Sequence, residues 1–257
     1  MSCPYYRPIH HEIEIFQHAY DNQLALMLKG PTGCGKSRFV EAMAATMERP
    51  MITVACHDDT TATDLLGRYL VQGGDTVWQD GPLTRAVREG AILYLDEVVE
   101  AREDMVVVLH SLTDHRRQIY LDRRNETLTA PPEFMLIISF NPGYQRGFKE
   151  LKPSTRQRFV GLTFDYPQPV VEAEIVAQES GVDMAMAQRL VTFAAKVRNL
   201  QELGLSAPAS TRLLVHTASL IRSGMPPRLA CRVGVIEPLT DDAETLAALH
   251  DTASLIL

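Results

Sequence analysis

Eight consecutive residues, Gly30-Pro31-Thr32-Gly33-Cys34-Gly35-Lys36-Ser37, leave this chain few folds to choose from. They match G-x-x-x-x-G-K-[ST], a glycine loop whose backbone N–H groups turn inward around a phosphate. Leu24-Ala-Leu-Met-Leu-Lys29 before it is an apolar run of strand length, and Lys36 to Met47 after it carries Phe39, Val40, Met43 and Met47 at helical spacing. Strand, loop and helix in that order aim the positive helix N-terminus at the bound anion. The pattern predicts ATP and Mg²⁺ as cofactors. All eight residues then hold the nucleotide, with Lys36 on the β- and γ-phosphates and the Ser37 hydroxyl on the metal.

The rest of the chain repeats the strand–helix alternation. Met51 to Cys56, Ala91 to Leu95, Met135 to Phe140 and Val160 to Phe164 read as further strands, and about Glu103 to Leu112 as a helix. This predicts an α/β core with a five-stranded parallel sheet, covered on both faces. Two segments break the alternation. Tyr69 to Gln79 turns at Gly73-Gly74-Asp75, and Gln118 to Thr129 turns around Arg124-Asn125, so both read as inserted β-hairpins. Trp78, the one tryptophan, reads as a packing anchor within the first hairpin. Tyr166-Pro-Gln-Pro169 reads as a boundary between a core, 1–167, and a small α-helical domain, 168–257, with helices over 170–180, 184–203 and 210–223.

Polar residues at strand ends supply the remaining chemistry. An acid at the tip of a buried strand is costly without a cation. Asp96 is therefore expected to hold Mg²⁺ through water, and Glu97 to polarise the attacking water as general base. Asn141, at the end of the next strand in such a sheet, is placed to orient that water or read the γ-phosphate. Arg156 and Arg158, just before the fifth strand, can reach the γ-phosphate of a neighbouring subunit. Arg212 opens a helix of the second domain and can contact the nucleotide from there, which would couple hydrolysis to a hinged lid.

A net charge of -7 and a pI near 5.6 argue against a nucleic acid as the main partner. Cys3, Cys34, Cys56 and Cys231 form no C-x-x-C pair, and His10-His11 lack metal-ligand spacing, so reduced thiols are expected. No apolar run reaches membrane-spanning length and the N-terminus has no signal-peptide core. The expected location is cytoplasmic.

Taken together, the loop, the strand-end Asp-Glu pair, the following Asn, the trans arginine and the lid arginine resemble the AAA+ superfamily. The finer resemblance is to its MoxR branch and the CbbQ/NirQ/NorQ group. It is carried by Thr63-Asp-Leu-Leu-Gly-Arg68, Val77-Trp-Gln-Asp-Gly-Pro-Leu-Thr-Arg85, Tyr94-Leu-Asp-Glu-Val-Val-Glu-Ala-Arg102, Leu112-Thr-Asp-His-Arg-Arg117 and Ser139-Phe-Asn-Pro-Gly-Tyr144. The resemblance implies a homo-hexameric ring with ATP at subunit interfaces, and a von Willebrand factor A domain partner, CbbO-like, that selects the client. It implies hairpins at the pore or its rim. For the CbbQ members it implies release of inhibitory sugar phosphates from Rubisco, the leading expectation here. For NorQ and NirQ members it implies activation of nitric oxide reductase. A scaffold that binds ATP without turnover is disfavoured by Glu97, and a nucleic-acid motor by the acidity.

Overall fold

Strands of a parallel sheet are buried on both faces, so they are the most continuously apolar segments of a chain. The computed structural model describes residues 3–142, 151–199 and 208–257. The chain divides into two compact units. His10–Gly30 and Lys36–Thr163, with Met1–Pro4, form the first; Phe164–Leu257, with Tyr5–Ile9 and Pro31–Gly35, form the second.

The first unit runs α1 (Glu12–Asp21), β1 (Leu26–Lys29), α2 (Lys36–Thr46), β2 (Met51–Ala55), α3 (Ala62–Leu66), β3 (Gly67–Gln72), β4 (Asp75–Asp80), α4 (Pro82–Glu89), β5 (Ile92–Asp96), α5 (Glu103–Val108), β6 (Gln118–Leu121), β7 (Glu126–Thr129), β8 (Met135–Phe140), α6 (Pro153–Arg156) and β9 (Val160–Thr163). Five of these strands form a parallel sheet in the order β2-β5-β8-β1-β9, the α/β architecture expected from the sequence. Every residue of the central β8 is buried, and β5 is buried up to Asp96. The register pairs Leu95 with Ile138 and Lys29 with Phe140. Gly30, Asp96 and Asn141, each at or just past a strand end, therefore share the carboxyl edge of the sheet.

Local chemistry sets the shorter elements. Thr61 and Asp64 form a reciprocal capping box that starts α3. Gly81 and Pro82 open α4, and Gly90 closes it in the left-handed conformation. Neither helix was legible as a periodic segment, because 5 and 8 residues hold too few turns to show a period.

Both expected hairpins are present: β3 pairs antiparallel with β4, and β6 with β7. Gly67 starts the first at φ 129°, and a Cβ there would lie 2.4 Å from the Gln79 carbonyl oxygen, so no larger residue fits. The two hairpins lean on each other. The Tyr69 hydroxyl donates to the Arg123 carbonyl at 3.1 Å, and the Arg124 guanidinium lies 6.0 Å over the Trp78 ring. Arg88 ties both to α4, binding Asp80 at 2.9 Å and Glu126 at 2.8 Å. Trp78 is packed edge-on against Tyr69, and its Nε1 donates to Asp80 at 2.6 Å, the anchoring role expected of it.

Among its described residues the second unit is helical from Pro169 onward: α7 (Pro169–Ser180), α8 (Met184–Asn199), α9 (Thr211–Arg222), α10 (Pro227–Cys231), α11 (Glu237–Leu239) and α12 (Ala243–Ile256), with a π turn over Arg232–Ile236. The expected extension of α8 to Leu203 lies outside the described residues, as do Gly143 and Tyr144 of the quoted motifs. Val176, Leu190, Phe193, Leu214, Val235, Ile236 and Leu249 form its core. Inside that core sits a carboxylate. Glu172 is fully buried and accepts from Arg198 at 2.8 and 2.7 Å and from the Thr211 hydroxyl at 2.6 Å. Arg198 also donates to the Ala209 carbonyl at 2.7 Å and stacks 4.0 Å from the centre of the Tyr166 ring. Among the described residues no helix is long and apolar enough to cross a membrane.

Candidate active site

The glycine loop demands backbone angles that side chains resist. Gly33 and Gly35 have φ of 70° and 104°. A Cβ on Gly35 would meet nothing within 4 Å, so the loop leaves open space beside it. On Gly33 a Cβ would come within 2.7 Å of Ser210 Cβ and 3.2 Å of Arg212 Cβ, so the start of α9 lies directly against this part of the loop. Ser210 caps α9 by accepting from the Leu213 N–H at 3.3 Å. Arg212 follows, exposed, on the first turn. The Tyr166 hydroxyl holds the loop from another side, donating to the Thr32 carbonyl at 3.1 Å. Pro31 is half-buried and Cys34 is buried.

Lys36 opens α2 and is 6% exposed, and its ammonium donates to the Gly30 carbonyl at 2.8 Å. A buried cation at a helix N-terminus suits a phosphate. The next residue, Ser37, turns its Oγ to Asp96 Oδ2 at 3.4 Å and to the Tyr94 hydroxyl at 3.2 Å. A hydroxyl facing a carboxylate is the hard-oxygen donor pair that Mg²⁺ prefers. The buried ammonium and this pair thus fit a nucleotide phosphate with its magnesium ion. Asp96 Oδ1 accepts from Tyr94 at 2.9 Å and, over a still shorter contact, from Ser139.

Glu97 carries the next acid in an unusual backbone. Its φ of 52° and ψ of 46° place a non-glycine residue in the left-handed region, at a cost of roughly 1–2 kcal/mol. Such strain persists where its surroundings impose it, most often at functional sites. Here the Glu97 N–H points to Ser139 Oγ at 3.4 Å, and the carboxylate accepts from the Asn141 backbone N–H. Burial pushes the Glu97 carboxyl above the ordinary carboxylate range, helped by Asp96 and Glu100 and opposed by Lys36. A raised carboxyl is a stronger base than a free glutamate once deprotonated. Asn141 is 7% exposed, so its side chain is enclosed at the same strand edge.

Cys56 sits beside these acids, and burial, then Asp96 and Glu97, push its thiol up to about 12. At neutral pH it is a protonated, unreactive thiol. Among the described residues no two cysteines are joined by a disulfide; Cys3 is exposed and the other three are buried.

Arg156 ends α6 and Arg158 follows in the turn to β9; both are exposed. Arg158 Nη1 donates to the His110 carbonyl at 3.3 Å, while His110 Nε2 meets Thr155 Oγ1 at 2.9 Å. Burial and the Arg158 charge hold the His110 imidazole below its ordinary pKa, so it stays neutral at pH 7. Three residues near the acids and arginines have no role assigned from the sequence: Tyr94 and Ser139, which open two of the quoted motifs, and His110. The first two had one signal, a hydroxyl inside an otherwise apolar strand.

Residues 25–159 match the model of the AAA domain (dynein-related subfamily), and residues 172–256 match the CbbQ/NirQ/NorQ C-terminal model. The chain is 58% identical to the denitrification regulatory protein NirQ of Pseudomonas aeruginosa, over 99% of this chain and 98% of that one. It is 57% identical to NorQ of Paracoccus denitrificans, over 100% and 95%. With CbbQ of Hydrogenophilus thermoluteolus it shares 55% identity over 99% and 96%. Among solved structures, a RuvB variant of Thermotoga maritima superposes with a TM-score of 0.57 at 13% identity, covering 96% of this chain and 73% of that one.

Proposed function

Because the chain belongs to the CbbQ/NirQ/NorQ group of AAA ATPases, we propose that it is an ATP-hydrolysing motor that remodels a client protein. The observation that carries this reading is the cluster at the sheet edge: buried Lys36, the Ser37–Asp96 pair and strained Glu97. In this reading Gly30, Pro31, Thr32, Gly33, Cys34, Gly35, Lys36 and Ser37 hold the triphosphate. Bound with the nucleotide, Mg²⁺ offsets phosphate charge, and Ser37 and Asp96 are the residues that hold it. Glu97 takes the proton of the attacking water. Asn141 orients that water and secures the Glu97 carboxylate through its backbone N–H. Arg212 contacts the nucleotide, with residues 168–257 acting as the lid.

Arg158 is the trans arginine in this assignment, ahead of Arg156, because its guanidinium is already held by the His110 carbonyl. Subunits then complete each other's sites in a homo-hexameric ring. Arg158→Ala is expected to cut the ATPase rate by about 10³-fold. Mixing Arg158→Ala with Glu97→Gln subunits should restore activity, since one supplies the base and the other the arginine. A mixture as inactive as its components would sink the trans role.

The client follows from the group rather than from the site. The motor would work in the cytoplasm with a von Willebrand factor A domain partner and release inhibitory sugar phosphates from Rubisco. A second reading, activation of nitric oxide reductase, is suggested by the denitrification names of the NirQ relatives, at 58% and 55% identity, beside NorQ at 57% and CbbQ at 55%. The test gives the protein, ATP and its partner to inhibited Rubisco and, separately, to inactive nitric oxide reductase. Recovery of one client and not the other assigns it. Recovery of neither, from a preparation that hydrolyses ATP, overturns both.

A further inference from the structure

A hydroxyl buried in an apolar sheet needs a partner, and for two such hydroxyls here the partner is the Asp96 carboxylate. Tyr94 lies two residues before Asp96 on β5, and Ser139 two residues before Asn141 on β8; both are fully buried. Alternation along a strand puts each on the same face as the site residue that follows it. Phenylalanine would fill the Tyr94 position equally well by volume. Burying its hydroxyl costs about 1–3 kcal/mol unless it is satisfied, so the gain must come from the cluster it joins.

That cluster treats the two carboxylate oxygens differently. Asp96 Oδ1 accepts from both hydroxyls, Tyr94 at 2.9 Å and Ser139 closer still, while Oδ2 faces Ser37 Oγ at 3.4 Å. Tyr94 also reaches Ser37 directly, at 3.2 Å. Pinning one oxygen stops the carboxylate from turning and keeps the other toward the Ser37 hydroxyl. Ser139 adds a second hold, accepting from the Glu97 N–H at 3.4 Å.

We propose that Tyr94 and Ser139 are positioning residues for the divalent cation, fixing Asp96 so that Oδ2 and the Ser37 hydroxyl present a ready-made pair of oxygens to nucleotide-bound Mg²⁺. This rests on the assignment of Ser37 and Asp96 as the residues that hold the ion. Partners that orient metal ligands typically change metal affinity by about 10–100-fold when removed.

The test reads binding rather than turnover. A fluorescent ADP analogue is bound to wild type, Tyr94→Phe, Ser139→Ala and Asp96→Asn, and Mg²⁺ is titrated against its anisotropy. Tyr94→Phe and Ser139→Ala are each expected to raise the Mg²⁺ midpoint about 10-fold or more, with affinity in EDTA unchanged. Asp96→Asn should raise it at least as far. If Asp96→Asn shifts the midpoint while both hydroxyl variants match wild type, the positioning role is overturned and the Asp96 assignment stands. If Asp96→Asn matches wild type as well, the metal assignment fails and takes the inference with it. An equal loss of affinity with and without Mg²⁺ marks a merely structural role and also overturns it. Should one hydroxyl variant not fold, the other reports on the same oxygen.

Discussion

Glu97→Gln is expected to bind ATP as tightly as wild type and to turn it over about 10²–10⁴-fold more slowly, the usual contribution of a general base. Glutamine keeps the size of the side chain and can still accept from the Asn141 N–H, but it cannot take a proton. The raised carboxyl pKa sharpens the expectation. Because burial holds that pKa above the ordinary value, the acid limb of the wild-type rate profile should lie higher than for a free glutamate, and the rate falls as pH drops through it. The sign for stability runs the other way. A carboxyl raised on folding contributes stability below its unfolded pKa and loses it as pH rises through the folded one. At pH 7 the neutral glutamine should therefore be at least as stable as the native residue. Single-turnover hydrolysis with a parallel melting curve checks both. Turnover equal to wild type would remove Glu97 from the chemistry.

Glu172→Ala should lower the unfolding free energy by about 3–5 kcal/mol, the usual cost of leaving one member of a buried ion pair alone. The pair is well enclosed: the Glu172 side chain is 1% exposed and that of Arg198 15%. Alanine would strand the Arg198 guanidinium in the core and leave the Thr211 hydroxyl without its acceptor. Replacing both charges, as Glu172→Leu with Arg198→Met, should cost less than the single change, because no bare charge remains. Urea denaturation followed by helical circular dichroism measures both. A single variant within about 0.5 kcal/mol of wild type, the range of an ordinary surface change, would mean the pair is not structural.

The sheet was legible because its strands are buried on both faces and so read as unbroken apolar runs. The ends were not: Leu24 belongs to the run by composition yet is 48% exposed ahead of β1. The glycine loop announced itself because few other chemistries need three glycines, a lysine and a serine at that spacing. Tyr94 and Ser139 did not, because an aromatic or a serine in a β-prone run reads as filler until the neighbouring strand is in place. Glu172 and Arg198 were invisible for a similar reason: 26 residues separate them, on different helices, and nothing local says that they meet. The attachment of Pro31–Gly35 to the second unit likewise depends on where Ser210 and Tyr166 come to rest, which no motif encodes.

The bracing between the hairpins bears on how such proteins can be recombined. Tyr69 and Trp78 belong to one insert, Arg123 and Arg124 to the other, and more than forty residues lie between them in the chain. Whoever transplants one hairpin from a relative moves half of a joint. The foreign half arrives without its matching arginines or without its aromatic seat, and α4 loses an Asp80 or a Glu126 for Arg88 to hold. The natural unit of exchange is the pair of hairpins together with α4, whose Arg88 ties them.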